Sequence, residues 1–187
     1  MHVTAKFVKL LLVVALVALS SACGEFTREG RAPVILVVDS LNDGGTLLSD
    51  VLTGSIVNDM VKVELRLVLK DPGAPGVASS PSALNAVTVT RYLVEYRRTD
   101  GRNVQGTDVP YAFDSGTTVT IADSEAATFQ IVRHTAKAEA PLKALATNGE
   151  IISTIAYVTF YGHDQAGNDV SASASIGIDF GNFADPD

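Results

Sequence analysis

Val170, Ala172, Ala174, Ile176, Ile178 and Phe180 alternate with Ser171, Ser173, Ser175, Gly177 and Asp179. Successive side chains of a β-strand point to opposite faces, so a period of two this long predicts a strand with one dry face and one wet face. The pattern recurs along the chain. Val61, Val63, Leu65, Leu67 and Leu69 alternate with Lys62, Glu64, Arg66, Val68 and Lys70. Residues 87–98 place Tyr92, Val94 and Tyr96 on one face and Arg91, Glu95 and Arg97 on the other. Residues 33–39, 117–121 and 127–133 are further β-branched or aromatic runs, and 151–163 is apolar on both faces, as a central strand requires.

Turn chemistry separates these runs. Asp71-Pro72-Gly73-Ala74-Pro75-Gly76 opens a long loop over residues 71–86, Asp100-Gly101 reads as a type I′ hairpin, and residues 164–168 join the last two strands. Helix is scarce. Residues 141–146 predict one or two turns, with Pro141 at the first position and Gly149 just past the end, and residues 46–52 are ambiguous. Seven or eight short strands with almost no helix predict an all-β fold, an antiparallel β-sandwich.

Residues 1–22 differ from the rest. Lys6 and Lys9 precede ten unbroken Leu, Val and Ala residues, and Ser20, Ser21 and Ala22 are small. That is the layout of a secretory signal, and the run is too short for a membrane span, which needs about 20 apolar residues. Cys23, the single cysteine, follows at once. The segment Leu19-Ser20-Ser21-Ala22-Cys23 resembles the lipobox of bacterial lipoproteins, with Ser20 where Leu is usual. The resemblance implies diacylglyceryl modification of Cys23 and export across the inner membrane. Gly24, standing where Asp would favour inner-membrane retention, implies the outer membrane where the organism has one. The domain plan is then a signal at 1–22, a lipidated linker at 23–31, a sandwich at 32–183 and a tail at 184–187.

The last hairpin carries a second resemblance. Residues 151–180, with the turn Asp164-Gln165-Ala166-Gly167-Asn168, resemble the closing hairpin of bacterial immunoglobulin-like and fibronectin-type-III-like domains. The chain has neither the cysteine pair nor the core tryptophan of antibody domains, and a jelly-roll or C2-like topology stands as the alternative.

Composition excludes several functions. With 14 basic and 21 acidic side chains, the formal charge of −7 argues against a nucleic-acid partner, whose phosphates call for Lys and Arg. One cysteine makes neither an internal disulfide nor a cysteine-based zinc site. His134 and His163 read as surface residues, and no hydrolase Gly-x-Ser-x-Gly, His-Glu-x-x-His or phosphate-binding loop is present. No catalytic residue is assigned.

Carboxylates offer a weak metal signal. Asp39, Asp43, Gly44 and Asp50 fall at calcium-loop positions, but Leu41 occupies a ligand position and a strand precedes the loop. Asp164, Asn168 and Asp169 form a second group, and Asp179, Asn182, Asp185 and Asp187 a third. The competing reading is that Asp and Asn serve turns there, because they tolerate left-handed backbone and bond their own main chain. No cofactor is assigned, with calcium the one left open. The tyrosines at 92, 96, 111, 157 and 161 read mainly as core or core rim, with a carbohydrate- or protein-binding face as the alternative.

The chain is therefore expected to be a lipid-anchored, non-enzymatic binding or structural module of the bacterial envelope. Its expected partners are the membrane, through the lipid, and an envelope protein or glycan. A calcium-dependent adhesion or carbohydrate-binding domain is the alternative, and an envelope hydrolase a third reading.

Overall fold

A computed structural model describes residues 30–52, 57–71, 73 and 80–183. Cys23 and the signal-like segment lie outside the described residues, as do residues 72 and 74–79 of the 71–86 loop and Asp185 and Asp187. Among the described residues eight strands form: β1 (Val34–Leu41), β2 (Leu47–Asp50), β3 (Asp59–Leu69), β4 (Val87–Arg97), β5 (Phe113–Ile121), β6 (Ser124–Val132), β7 (Ile152–Asp164) and β8 (Asp169–Gly181). Two short helices, α1 (His134–Lys137) and α2 (Leu142–Asn148), lie between β6 and β7.

The strands build two sheets, ordered β1-β3-β6 and β2-β8-β7-β4-β5. With β3 and β6 set against β4, β7 and β8, the division is that of a two-sheet β-sandwich. The sheets are antiparallel except for β2, which runs parallel to β8 in the register Leu47↔Ile178. The ambiguous segment 46–52 is thus an edge strand, and the sandwich is mixed at that edge. Four residues show no periodicity, and pairing with β8 supplies what local propensity lacks.

The alternating patterns bury the residues they predict. Val61, Val63, Leu65 and Leu67 of β3, Tyr92, Val94 and Tyr96 of β4, and Ile176, Ile178 and Phe180 of β8 enter one core. Strand β7 is central, between β4 and β8, although its outward face carries Tyr157 and Thr159 and not a second apolar layer. Gly162 of β7 is required by close approach: a Cβ there would stand 2.4 Å from the Thr88 carbonyl oxygen of β4. Strand β5 starts four residues before its predicted onset, because pairing with β4 carries it through Asp114 and Gly116. Gly149 takes φ 67° and ends α2 as expected.

The Asp100-Gly101 turn corrects a prediction. A type I′ hairpin needs positive φ at both central residues. Gly101 has it and Asp100 does not. The Asp100 carboxylate instead caps the Arg102 amide at 3.1 Å inside the long β4–β5 connection. The single turn α1 follows β6 directly and carries no sequence signal of its own.

The two ends of the sandwich differ. The chain arrives at Pro33, whose carbonyl accepts from the Lys70 amide, beside the β7–β8 turn, where Gln165 reaches the Ala86 carbonyl. The opposite end carries α1, α2 and the β4–β5 connection. Strands of 13 residues separate the ends by roughly 40 Å.

Candidate functional site

The Asp39–Asp43 and Asp164–Asp169 groups singled out in the sequence are not brought together, whereas Asp50 pairs in register with Gly181, beside Asp179 and Asn182 at the end of β8. Asp164, Asn168 and Asp169 sit at the β7–β8 turn. Asp39 and Asp43 lie toward the other end of β1, where Val38–Leu41 and Gly44 stand against Ala174–Gly177 of β8. Five to eight residues along β8 separate the two levels, about 17–26 Å. Among the described residues no group of three His, Cys, Asp or Glu could hold a metal ion.

Asp39, Asp43 and Asp164 each have a local partner. Asp164 is buried, and its oxygens accept from the amides of Ala166 (2.9 Å) and Asn168 (2.8 Å) and from Asn168 Nδ2 (2.8 Å). Burial pushes its carboxyl up, but the donors from Asn168 and Ala166 outweigh that and hold it below its ordinary value. Asp39 is clasped by Arg66 Nε and Nη2 at 2.9 Å, which lowers its carboxyl likewise. Asp43 pairs with Lys62 at 3.4 Å. Asn42 and Asp43 take φ of 50° and 52°, left-handed backbone that Asx residues tolerate. These are turn and surface-pair roles.

Removing the Asp164 acceptors by Asp164→Ala should cost about 1–3 kcal/mol at pH 7, because each freed donor at a part-buried turn must find water. A carboxyl with a depressed folded pKa stabilises above its unfolded value, about 3.9, and loses that contribution as pH falls through the folded value. The stability gap between wild type and Asp164→Ala should therefore narrow below about pH 4. Denaturant melts from pH 7 to pH 2 measure it, and a constant gap would refute the account.

A cleft of about 510 Å³ opens at the far end, between the β4–β5 connection and α2. Pro141, Ala144, Leu145, Ile151 and Ile152 give it apolar surface, and Arg98, Arg102, Asp108 and Glu150 add charge. Asp100 bridges the two arginines, at 2.6 Å from Arg98 Nη2 and 3.0 Å from Arg102 Nη2, and Arg98 above all holds its carboxyl far below the ordinary range. Asp108 accepts from the Val104 amide and Glu150 from Asn148 Nδ2. The polar groups thus hold their own loops in shape, leaving a preformed and charged cleft.

Next to the helix that walls the cleft lies a buried pair with no local sequence signature. Lys137 of α1 donates to Asp59 Oδ1 at 2.6 Å, and Ser49 of β2 donates to Asp59 Oδ2 at 2.5 Å. Ser49 and Lys137 are fully enclosed. One carboxylate thus ties β2, β3 and α1 together. Nearby, Tyr96 OH donates to the Ile131 carbonyl, and burial pushes its phenol well above its ordinary value.

The tyrosines divide. Tyr92 and Tyr96 are core. Tyr157 and Tyr161 project from the outer face of the five-stranded sheet, with Arg97 and Arg91 over their rings at 5.4 and 4.0 Å. Arg91 is also paired with Asp114. Tyr111 is exposed and lies against Gly106. His163 is exposed at the end of β7; His134 is exposed at the start of α1, with its amide bonded to Asn58 Oδ1.

The architecture is that of an all-β sandwich with a charged cleft at one end. No family model and no curated protein matches the chain. Among solved structures, it is similar to a protein described as late embryogenesis abundant, at 8% identity and TM-score 0.41, over 93% of this chain and 86% of that one. It is also similar to the sporulation control protein Spo0M from Bacillus subtilis, at 11% identity and TM-score 0.28, over 78% of this chain and 48% of that one. Likeness at this level carries no functional argument. Among the described residues no helix is long and apolar enough to cross a membrane.

Proposed function

We propose that this chain is a lipid-anchored, extracytoplasmic binding or structural module of a bacterial envelope, without catalytic activity. The observation that carries the reading is the polarity of the fold. The chain arrives from the Cys23 side at the end formed by Pro33, Lys70 and the β7–β8 turn. An anchor at Cys23 would hold that end toward the bilayer and lift the cleft lined by Arg98, Arg102 and α2 roughly 40 Å away, toward the cell's other envelope components. With a formal charge of −7, attachment depends on the acyl chains and not on anionic headgroups.

The test is the Cys23→Ser variant in the native host. It should move from the membrane to the soluble fraction, while mass spectrometry of the wild type should find a diacylglyceryl mass on Cys23. Membrane retention of Cys23→Ser, or an unmodified Cys23, would overturn the proposal. The hydrolase reading attaches to Asp108 and Glu150, the two acids that share the cleft. Their bonds within their own loops favour the binding reading.

A further inference from the structure

We infer that the free edge of β6 takes up a single extended segment of another envelope protein, one bearing Lys or Arg and no acid. The inference rests on the binding-module reading and names the form of its partner.

The hydrogen-bonding groups face the right way. The Leu67 amide donates to the Asp123 carbonyl at 2.8 Å just before β6. Antiparallel ladders alternate, so Glu125, Ala127 and Phe129 bond to β3, through the register Leu65↔Glu125, Val63↔Ala127 and Val61↔Phe129. Ser124, Ala126 and Thr128 then turn their N–H and C=O groups away from β3. All three residues are exposed, and among the described residues no backbone hydrogen bond meets them.

The other three edges carry devices that stop strand addition. Strand β2 has four residues. Strand β1 is interrupted by a bulge at Asp39, and β5 by a bulge opposite Thr90. Residues 124–130 of β6 pair with β3 in unbroken register and contain no Lys, Arg or Pro. Only two residues link β5 to β6, so the strand that would cover this edge in a four-stranded immunoglobulin sheet is missing.

Geometry selects the occupant. Strand β6 lies over β4, as the Tyr96–Ile131 hydrogen bond and the Tyr92–Phe129 ring contact at 5.0 Å show. Strand β5, next to β4, buries Phe113 and Ile121 at its two ends, but Ser115, Thr117 and Val119 between them are only half-buried. A lone strand added to β6 would lie over β5 and cover them. A second copy joined through its own β6 would bring its β4 to the level where β5 already stands. Charge narrows the choice further: Glu125 has no ion-pair partner among the described residues, and the whole chain is acidic. A basic side chain opposite it is complementary.

The test places the photo-crosslinker p-benzoylphenylalanine at Thr128 of the full chain in its native host, with Ile35 on the bulged β1 edge as control. The expected product maps by peptide mass spectrometry to one continuous segment of another protein that bears Lys or Arg, and Ile35 gives none. Ala126→Pro removes one outward N–H and should cut the yield about tenfold. Glu125→Lys should also cut it, and decides the matter if Ala126→Pro melts out. Absence of product, a product within this chain or its second copy, a partner segment rich in acid, or a yield unchanged by both substitutions would each overturn the inference. Cys23→Ser carried in parallel reports on the anchor separately, so failure of one reading is distinguishable from failure of the other.

Discussion

Asp59→Ala should be among the most damaging single substitutions in this protein, lowering stability by about 3–5 kcal/mol and Tm by roughly 10 °C. Lys137 lies in a side-chain environment 2% exposed, with the Asp59 carboxylate as its ion-pair partner at 2.6 Å. Removing the acid leaves a buried ammonium without its counter-charge and strands the Ser49 hydroxyl. Replacing both ends with apolar residues of similar size, as in Asp59→Leu with Lys137→Met, should restore much of the loss, because no charge then stays desolvated. A thermal melt of the two variants decides it; equal damage in both would show that the pair itself, and not the orphaned charge, dominates. The effect should also be local. Because Lys137 fastens α1 beside α2, and α2 walls the cleft, hydrogen exchange should quicken first at residues 134–148.

That pair also marks the limit of what the sequence discloses. Alternation exposed β3, β4 and β8 because a strand with one dry face writes its geometry into every second residue. The Asp164 turn was readable for a similar reason: an Asx residue followed by Gly167 and Asn168 closes a turn through bonds two and four residues away. Asp59 and Lys137 are 78 residues apart, and nothing near Lys137 distinguishes a buried lysine from a solvated one. Their meeting is a product of the whole topology. The start of β5 was hidden too, since Asp114 and Gly116 are poor strand residues held in place by β4. The cleft belongs to the same class: it joins the β4–β5 connection to α2 and residues 150–152, and no single segment contains it.

Phe160→Ala should cost about 3–5 kcal/mol, through lost burial and the cavity left behind. Phe160 is 2% exposed in β7 of the five-stranded sheet, and its ring meets Phe129 of β6, in the other sheet, edge-on at 5.2 Å. Tyr92 closes the group, at 6.1 Å from Phe160 and 5.0 Å from Phe129. Pairs of this geometry add about 0.5–1.5 kcal/mol beyond the area they bury. The cluster is therefore a principal bond between the sheets, and it supports β6 from beneath. Phe160→Leu, which keeps most of the volume, should lose far less. A double-mutant cycle with Phe129→Ala should show coupling of about 0.5–3 kcal/mol, as expected for residues in contact, whereas strict additivity would mean that the rings act separately. Because Phe129 belongs to the strand whose free edge is the proposed docking site, Phe160→Ala in the crosslinking host should also weaken capture at Thr128. Phe183→Ala, near Gly181 at the far end of β8, should leave capture intact.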